Sequence, residues 1–423
     1  MRILHTADIH LGYETHGRLD PETGLNTRLL DFQRCFRFMV EHALDEDVDL
    51  FLFCGDAYRT ADPTPTQQKL FAECLRPIAE AGVPIVMVIG NHDHPVSFGK
   101  ASAVDIFSYL TGDVHIFRRP TFCAPHTAYG PIPTKAGPLQ LIALPWPIRS
   151  VLLSKEEHRK KAPDAVRDYI EALYTDFVAQ SAAELEPALP AVVAGHFSVH
   201  DAELGGSERT SLIAHEPKFT AAQLALPGVD YVALGHIHKY QDRNRAAYER
   251  GEGAPVVYPS SIDRISFKEH DAEKGFVVVD VEGRGDEKET TYAFVPTPAR
   301  RFVTVETDAR EADDPTARIL RDVQAADVAE AVVRVRYQVS EEQVPQVDVG
   351  ALRDALSGAY AVAAIERVVD PAERKRTTAV RREAGLAEAM TQYVAQHERL
   401  HKMKDRLVEA ALEIERQVEG REE

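Results

Sequence analysis

Cysteine is scarce: four residues in 423, at positions 35, 54, 74 and 123, and no two of them form a CxxC pair. A paired-thiol metal or redox motif is thereby excluded, and a reducing, cytoplasmic setting is the expectation. Long apolar runs are missing too; none approaches the ~18 residues of a membrane span. The first eight residues, MRILHTAD, turn polar before a secretory apolar core can form, so neither export nor membrane insertion is expected. No GxxxxGK[ST] phosphate loop occurs, which argues against ATP use by this chain. Positive charge is also short. Lys plus Arg number 49 against 67 Asp plus Glu, a formal net charge of −18 with His neutral, which excludes a generally basic nucleic-acid coat.

What is present is the composition of an ordinary globular protein, 44% hydrophobic and 27% charged, with the length of two or three domains. Five short apolar, β-branched-rich runs read as buried strands: 3–6, 49–54, 84–89, 191–194 and 231–234. Helix-period segments at 25–43 and 66–81 separate the first three, so strand and helix alternate in a layered α/β core. From 256 onward the pattern turns to strands alone, at 256–258, 276–281 and 290–295, expected to form the second half of a sandwich that closes a first domain at 299. A Pro-rich junction, Val295-Pro296-Thr297-Pro298, leads to a small strand-helix-strand-helix-strand unit over 300–370. A helical tail, 371–423, follows, in which Leu386, Met390, Tyr393, His397, Leu400, Lys404, Leu407, Ala411, Ile414 and Val418 recur near a 3.5-residue period.

Chemistry gathers at the ends of the five strands. Each is followed at once by potential metal ligands: Asp8-Ile9-His10, Gly55-Asp56, Gly90-Asn91-His92-Asp93, Gly195-His196 and Gly235-His236-Ile237-His238. Sites in open α/β sheets form at the carboxyl ends of strands, so these distant residues are expected to converge. In extended backbone, residues two apart point the same way, which pairs Asp8 with His10 and His236 with His238. The glycines suit tight strand exits. A lone DxH, GD or GHxH is more often a cap or surface group, and GNHD after an apolar strand is a stronger sign; all five in order are hard to obtain by chance. Two carboxylates (Asp8, Asp56), one amide oxygen (Asn91) and four imidazoles (His10, His196, His236, His238) are too many for one tetrahedral ion with an open position. They suit two ions sharing a carboxylate, a site type that activates water for attack at phosphorus. With no thiolate, Mn²⁺ or Fe²⁺ is favoured and Zn²⁺ fits.

The motif set DxH, GD, GNHD, GH and GHxH resembles the calcineurin-like metallophosphoesterase superfamily. Asp8-Ile9-His10-Leu11-Gly12, Glu203 to Arg209 (ELGGSER), Tyr258 to Arg264 (YPSSIDR), Phe267, Glu269 and Lys274-Gly275 make it similar to that superfamily's DNA-nuclease branch. The resemblance implies a four-layer α/β/β/α metallophosphoesterase sandwich with a small α+β capping, DNA-binding domain and a C-terminal helical tail. It implies a Mn²⁺-dependent DNA exonuclease and endonuclease, a homodimer partnered by a coiled-coil ATPase of the SbcC type. The first ion would take Asp8, His10, Asp56 and His238; the second would take Asp56, Asn91, His196 and His236. His92 would contact the scissile phosphate and protonate the leaving oxygen, with Asp93 orienting it. Some relatives carry His three residues after the shared Asp, where this chain has Arg59, a phosphate contact or a solvated side chain.

Other features read more plainly. Arg159-Lys160-Lys161 is expected on a solvated helix face, Trp146 shapes a loop or simply packs, and the tail stripe is expected to dock on a partner. A phosphoesterase for small nucleotides would share the same motifs. A non-catalytic scaffold would be expected to have lost ligands that this chain keeps.

Overall fold

The computed structural model describes residues 1–94, 100–109, 112–147, 163–207, 216–283, 285–368, 390–391, 394 and 403–419. The Arg159-Lys160-Lys161 cluster, Glu208, Arg209 and Leu386, Tyr393, His397 and Leu400 of the tail stripe lie outside them; the described tail includes a helix, Lys404–Glu419, which carries the stripe positions from Lys404 to Val418.

Two six-stranded sheets face each other. The first contains β1 (Arg2–Thr6), β2 (Leu50–Phe53), β3 (Ile85–Val88) and β4 (Val114–Phe117), mutually parallel in that order. The second starts from β5 (Thr121–Cys123), β6 (Gln140–Leu144) and β7 (Ala191–His196). A two-stranded ladder, β8 (Ser198–Val199) with β9 (Lys218–Phe219), stands apart; β10 (Tyr231–Gly235), β11 (Gln241–Asp242) and β12 (Val256–Tyr258) then complete the second sheet in the order β11-β12-β10-β7-β6-β5.

The three late strands do not form one half of the sandwich. β12 runs parallel beside β10 in the second sheet, whereas β13 (Gly275–Glu282) and β14 (Glu289–Pro296) add to the first, β13 antiparallel to β1. Pairing with β1 sets which faces are buried: Val277, Val279 and Val281 join the core between the sheets, beside Ile3, and Phe276 joins the core under the helices.

Alternation also builds the four layers. Leu4, Phe51, Phe53, Ile85 and Met87 turn outward to Phe32, Phe36 and Met39 of α1 (Thr27–Asp45) and Phe71 and Ile78 of α2 (Pro65–Glu80). Their strand neighbours Ile3, Leu50, Leu52, Val86 and Val88 turn inward to meet Leu141, Ala143, Val192, Ala194 and Ala233 of the second sheet. On its far side, Ile142, Leu144, Val193, Val232 and Leu234 pack on Val166, Ile170 and Val178 of α3 (Pro163–Ala183). Parallel strands buried on both faces have no polar side to show, which is why they read as unbroken apolar runs. Both helices that flank the first sheet begin on side-chain caps, Asn26 for α1 and the Thr64–Gln67 capping box for α2.

The 302–367 unit is a parallel sheet, β15 (Phe302–Asp308), β16 (Val332–Gln338) and β17 (Ala361–Arg367), with helices Pro315–Ala325 and Val349–Ala355 in the connections. It is joined to α1 by a charge cluster. Arg300 makes two 2.6 Å bonds to the Asp31 carboxylate and lies 3.7 Å over the Tyr360 ring, while buried Arg28 pairs with Asp31 at 2.8 Å and Asp263 at 3.2 Å. Replacing Arg300 by Met should cost about 2 kcal/mol, since bidentate charge-assisted bonds to a nearly buried carboxylate are lost while Arg28 still neutralises it. A urea midpoint equal to that of the wild type would contradict this.

Candidate metal centre

The carboxyl ends of β1, β2, β3, β7 and β10 lie at one edge of the sandwich, and the loops leaving them are bonded to one another. The Asp8 N–H donates to the Gly55 carbonyl (2.9 Å), His10 N–H to the Asp56 carbonyl (3.0 Å), Trp146 N–H to the Ile89 carbonyl (2.8 Å), and His236 N–H to the Asp8 carboxylate (2.9 Å). The last two bonds tie one sheet to the other. Approach is so close that a Cβ on Gly235 would stand 2.0 Å from the Cys54 carbonyl oxygen.

Asp8 and His10 do converge, but not through extended backbone. β1 ends at Thr6, and Asp8 and His10 have φ of 54° and 48°; Asp56 (62°) and His236 (94°) are left-handed as well. Non-glycine residues hold this conformation at a cost of about 1–3 kcal/mol each, sustained by the surrounding bonds, and such strain concentrates at functional sites.

All seven expected donors meet in this cleft. The His10 Nε2 lies 3.8 Å from Asp8 Oδ1, 3.6 Å from Asp56 Oδ2 and 3.0 Å from His238 Nε2, and His238 Nε2 is 3.6 Å from Asp8 Oδ1. On the other side, His196 Nε2 is 3.5 Å from Asp56 Oδ2 and 3.0 Å from Asn91 Oδ1, to which His236 Nδ1 also comes within 3.1 Å. Asp56 touches both groups.

The tautomers test whether a cation fits. His196 Nδ1–H donates to the Cys54 carbonyl (2.6 Å), His236 Nε2–H to Glu216 (2.9 Å), and His238 Nδ1–H to Ser207 (2.7 Å) with Glu269 beside it (3.2 Å). Each of these three rings therefore spends its outer nitrogen as a donor and leaves its inner nitrogen among the oxygens of Asp8, Asp56 and Asn91 or against the His10 ring, where a cation or a proton must sit. The buried His10 Nδ1 has no hydrogen-bond partner. Carboxylate and amide oxygens converging with ring nitrogens in a buried cleft call for positive charge, and a divalent cation supplies it with the donor types it prefers. Proximity triplets Asp8–His10–His238 and Asp8–Asp56–His196 have ligand atoms within 4.8 Å of one another.

Titration follows the same crowding. Burial raises Asp8, with Asp56 adding to the rise. For Asp56, burial pushes upward but is outweighed by His196, His92 and His10, which hold it well below the carboxylate range. Burial lowers His196, yet the Asp56 charge prevails and lifts it to about 9.

His92 sits at the mouth, its side chain 37% exposed where the ligand carboxylates are fully buried, with Nε2 4.0 Å from Asp56 Oδ2. Asp93 does not orient it. The Asp93 carboxylate is turned inward and accepts three backbone N–H groups, from Asp56 (2.8 Å), Ala57 (2.9 Å) and Gly90 (2.9 Å), while His92 Nδ1–H donates to the Arg59 carbonyl (2.7 Å). Residues adjacent on a tight turn point apart, so the carboxylate next to His92 in sequence serves the loop instead. Burial and the neighbouring Asp56 charge push Asp93 up to about 6 against those three donors. The Arg59 guanidinium lies 5.0 Å over the Tyr13 ring, which stands edge-on to His10. Trp146 packs on His236 and His196, at 5.1 and 6.2 Å between ring centres, and walls the cleft.

Glu216 and Glu269 were not expected here as partners of the cleft's imidazoles. Nothing in the spacing of Glu216 marks it; Glu269 stands five residues before Lys274, a pairing visible only once the two are seen to share a buried site.

A profile of the calcineurin-like phosphoesterase family matches residues 1–240. Over 286 residues the chain is 29% identical to a subunit of the nuclease SbcCD of Bacillus subtilis, covering 66% of each protein. Over 275 residues it is 26% identical to the corresponding SbcCD nuclease subunit of Escherichia coli K12, covering 62% of each. The DNA double-strand break repair protein Mre11 of Aeropyrum pernix is 25% identical over 283 residues, 67% of this chain and 58% of that protein. The chain thus spans less than two thirds of the length of these relatives. With the family profile covering more than half of its length and the four-layer sandwich presenting the donors at one edge, the chain belongs to the calcineurin-like phosphoesterase family.

Proposed function

We propose that the chain is a Mn²⁺-dependent DNA nuclease. It cuts phosphodiester bonds at duplex ends and in single strands or hairpins, in the cytoplasm on nucleoid DNA, as the nuclease component of a repair and recombination complex with an SbcC-type ATPase. The observation that carries the metal chemistry is the convergence of the inner ring nitrogens of His10, His196, His236 and His238 on the oxygens of Asp8, Asp56 and Asn91 in a buried cleft. Asp8, His10, Asp56 and His238 would hold one cation, and Asp56, Asn91, His196 and His236 a second. Bound there, the ions would polarise a phosphoryl oxygen and lower the pKa of water.

The remaining work falls to the chain itself. Burial keeps bulk water from the ligand carboxylates, and the Arg59 carbonyl fixes His92 Nδ1–H so that Nε2 faces a bound phosphate, positioned to give a proton to the leaving oxygen. Arg59 stays close by as a cation on the Tyr13 ring. DNA as substrate is supported by the names of the relatives, nuclease subunits and a double-strand break repair protein. With a net charge of −18, the isolated chain is expected to hold DNA weakly. The ATPase, docked on the 371–423 tail, and a second copy of the chain supply the rest of the grip, and the 300–370 domain leans on the duplex.

Purified protein with Mn²⁺ and end-labelled linear duplex DNA should give metal-dependent shortening that EDTA stops. Intact DNA beside rapid hydrolysis of a small phosphodiester would replace this proposal with the small-nucleotide one.

A further inference from the structure

One short turn joins the metal centre to the small domain. Glu269 is fully buried. One carboxylate oxygen faces His238 Nδ1 at 3.2 Å and accepts the Ser207 hydroxyl; the other accepts the Ile265 N–H at 2.9 Å and pairs with Lys274 Nζ at 3.0 Å. Lys274 Nζ in turn donates to the His238 carbonyl (2.8 Å) and to Ser261 (2.9 Å). A single buried charge pair thus holds His238 by both ring and backbone.

Two residues earlier in the same 3₁₀ turn, Phe267–Glu269, the Phe267 ring is gripped by the small domain. Phe302, at the start of β15, packs edge-on against it at 5.0 Å, and the Arg334 guanidinium of β16 lies 4.5 Å over its face. His16 closes the cluster at 5.6 Å from the ring. Arg334 is steadied by Thr304 on the neighbouring strand. A 3₁₀ turn rises about 2 Å per residue, so ring and carboxylate sit on one rigid piece only about 4 Å apart along its axis.

We propose that Phe267–Glu269 is a strut through which the seating of the small domain sets the affinity of the Asp8–His10–Asp56–His238 site for a divalent cation. The proposal rests on the metal assignment above. Outer partners of ligand imidazoles change metal affinity by about 10- to 100-fold, and the strut places one such partner under the control of contacts in another domain. Coupling of this kind is reciprocal: cation binding must also tighten the seat of β15 and β16 on Phe267. Phe267 and Glu269 act here as positioning residues, touching neither cation nor substrate.

The test measures Mn²⁺ affinity of the full chain by calorimetry, with no DNA present. Glu269→Gln should weaken binding about 10- to 100-fold. Phe267→Ala should weaken it about 10-fold, and Arg334→Gln about 2- to 5-fold, the range of one cation–π contact. Arg336→Gln, on the same strand but paired with Glu306 and Glu366, should leave affinity unchanged. In the wild type, Mn²⁺ should slow amide exchange in β15 and β16. Wild-type affinity in both Phe267→Ala and Arg334→Gln, folded by circular dichroism, overturns the strut, as does exchange in β15 and β16 that ignores Mn²⁺. A wild type that binds no Mn²⁺ overturns the metal assignment itself, a result distinct from the other two.

Discussion

Substituting Asp56 by Asn is expected to lower Mn²⁺-dependent cleavage by about 10³-fold or more, equivalent to about 4 kcal/mol of transition-state stabilisation. Asp56 is the carboxylate that touches both donor groups, with Oδ2 at 3.6 Å from His10 and 3.5 Å from His196. Its other oxygen accepts the His92 N–H at 2.8 Å, a bond that Asn retains. The substitution therefore keeps shape and that loop bond while it removes the shared negative charge and turns an NH₂, which cannot ligate a cation, toward His10 and His196. A readout independent of turnover accompanies it. Mn²⁺ at about 100 times its dissociation constant adds about 2.7 kcal/mol to the stability of a protein that binds it only when folded, so the wild-type melting temperature should rise with Mn²⁺ and fall back with EDTA. Asp56→Asn should show little of that rise. A variant that retains a tenth of wild-type cleavage, with the metal-induced stabilisation intact, would rule out Asp56 as the shared ligand.

How far such a site can be read in the sequence depends on which part of it is local. β1, β2, β3, β7 and β10 were legible because both faces of each are buried, leaving runs such as Leu50–Phe53 with nothing polar in them. The hairpin β13–β14 was legible as strands but not as to sheet, because alternation marks a buried face without saying what buries it. The donors were legible since each follows such a run directly. Their approach to one another was not. Left-handed φ at Asp8, His10, Asp56 and His236 is imposed by the cross-loop bonds, and a sequence carries no mark of it where the residue is not glycine. Glu216 and Glu269 reach His236 and His238 from 20 and 31 residues away, a separation that no motif spacing encodes. Net charge said least about the site. The −18 is a sum over the whole chain, whereas in the cleft two buried carboxylates and converging ring nitrogens create a local demand for cations.

Replacing Asp93 by Ala is expected to destabilise the metal-free protein by about 3–5 kcal/mol, because three backbone N–H groups lose their acceptor inside the fold and each orphaned donor costs about 1–3 kcal/mol. The loss has a direction. Asp93 stitches the loop carrying Asp56 to the loop carrying Asn91, and the stitched N–H groups belong to Asp56, Ala57 and Gly90 themselves. Asp93→Asn separates this from a role in orienting His92. An Asn oxygen in the position that accepts from Asp56 and Gly90 keeps two of the three bonds but sets its NH₂ against the Ala57 N–H, so its stability should fall between wild type and Asp93→Ala. An orienting carboxylate would instead leave stability near wild type in both variants and change only the proton transfer at His92. Chemical denaturation in EDTA reads the difference without any metal contribution, and a cost below about 1 kcal/mol for Asp93→Ala would mean that the three donors find other acceptors. Because the same loops carry Asp56 and Asn91, which in the proposed assignment serve both cations, the destabilised variant should also bind Mn²⁺ more weakly at both. Glu269→Gln, by contrast, acts through His238 alone and should weaken one.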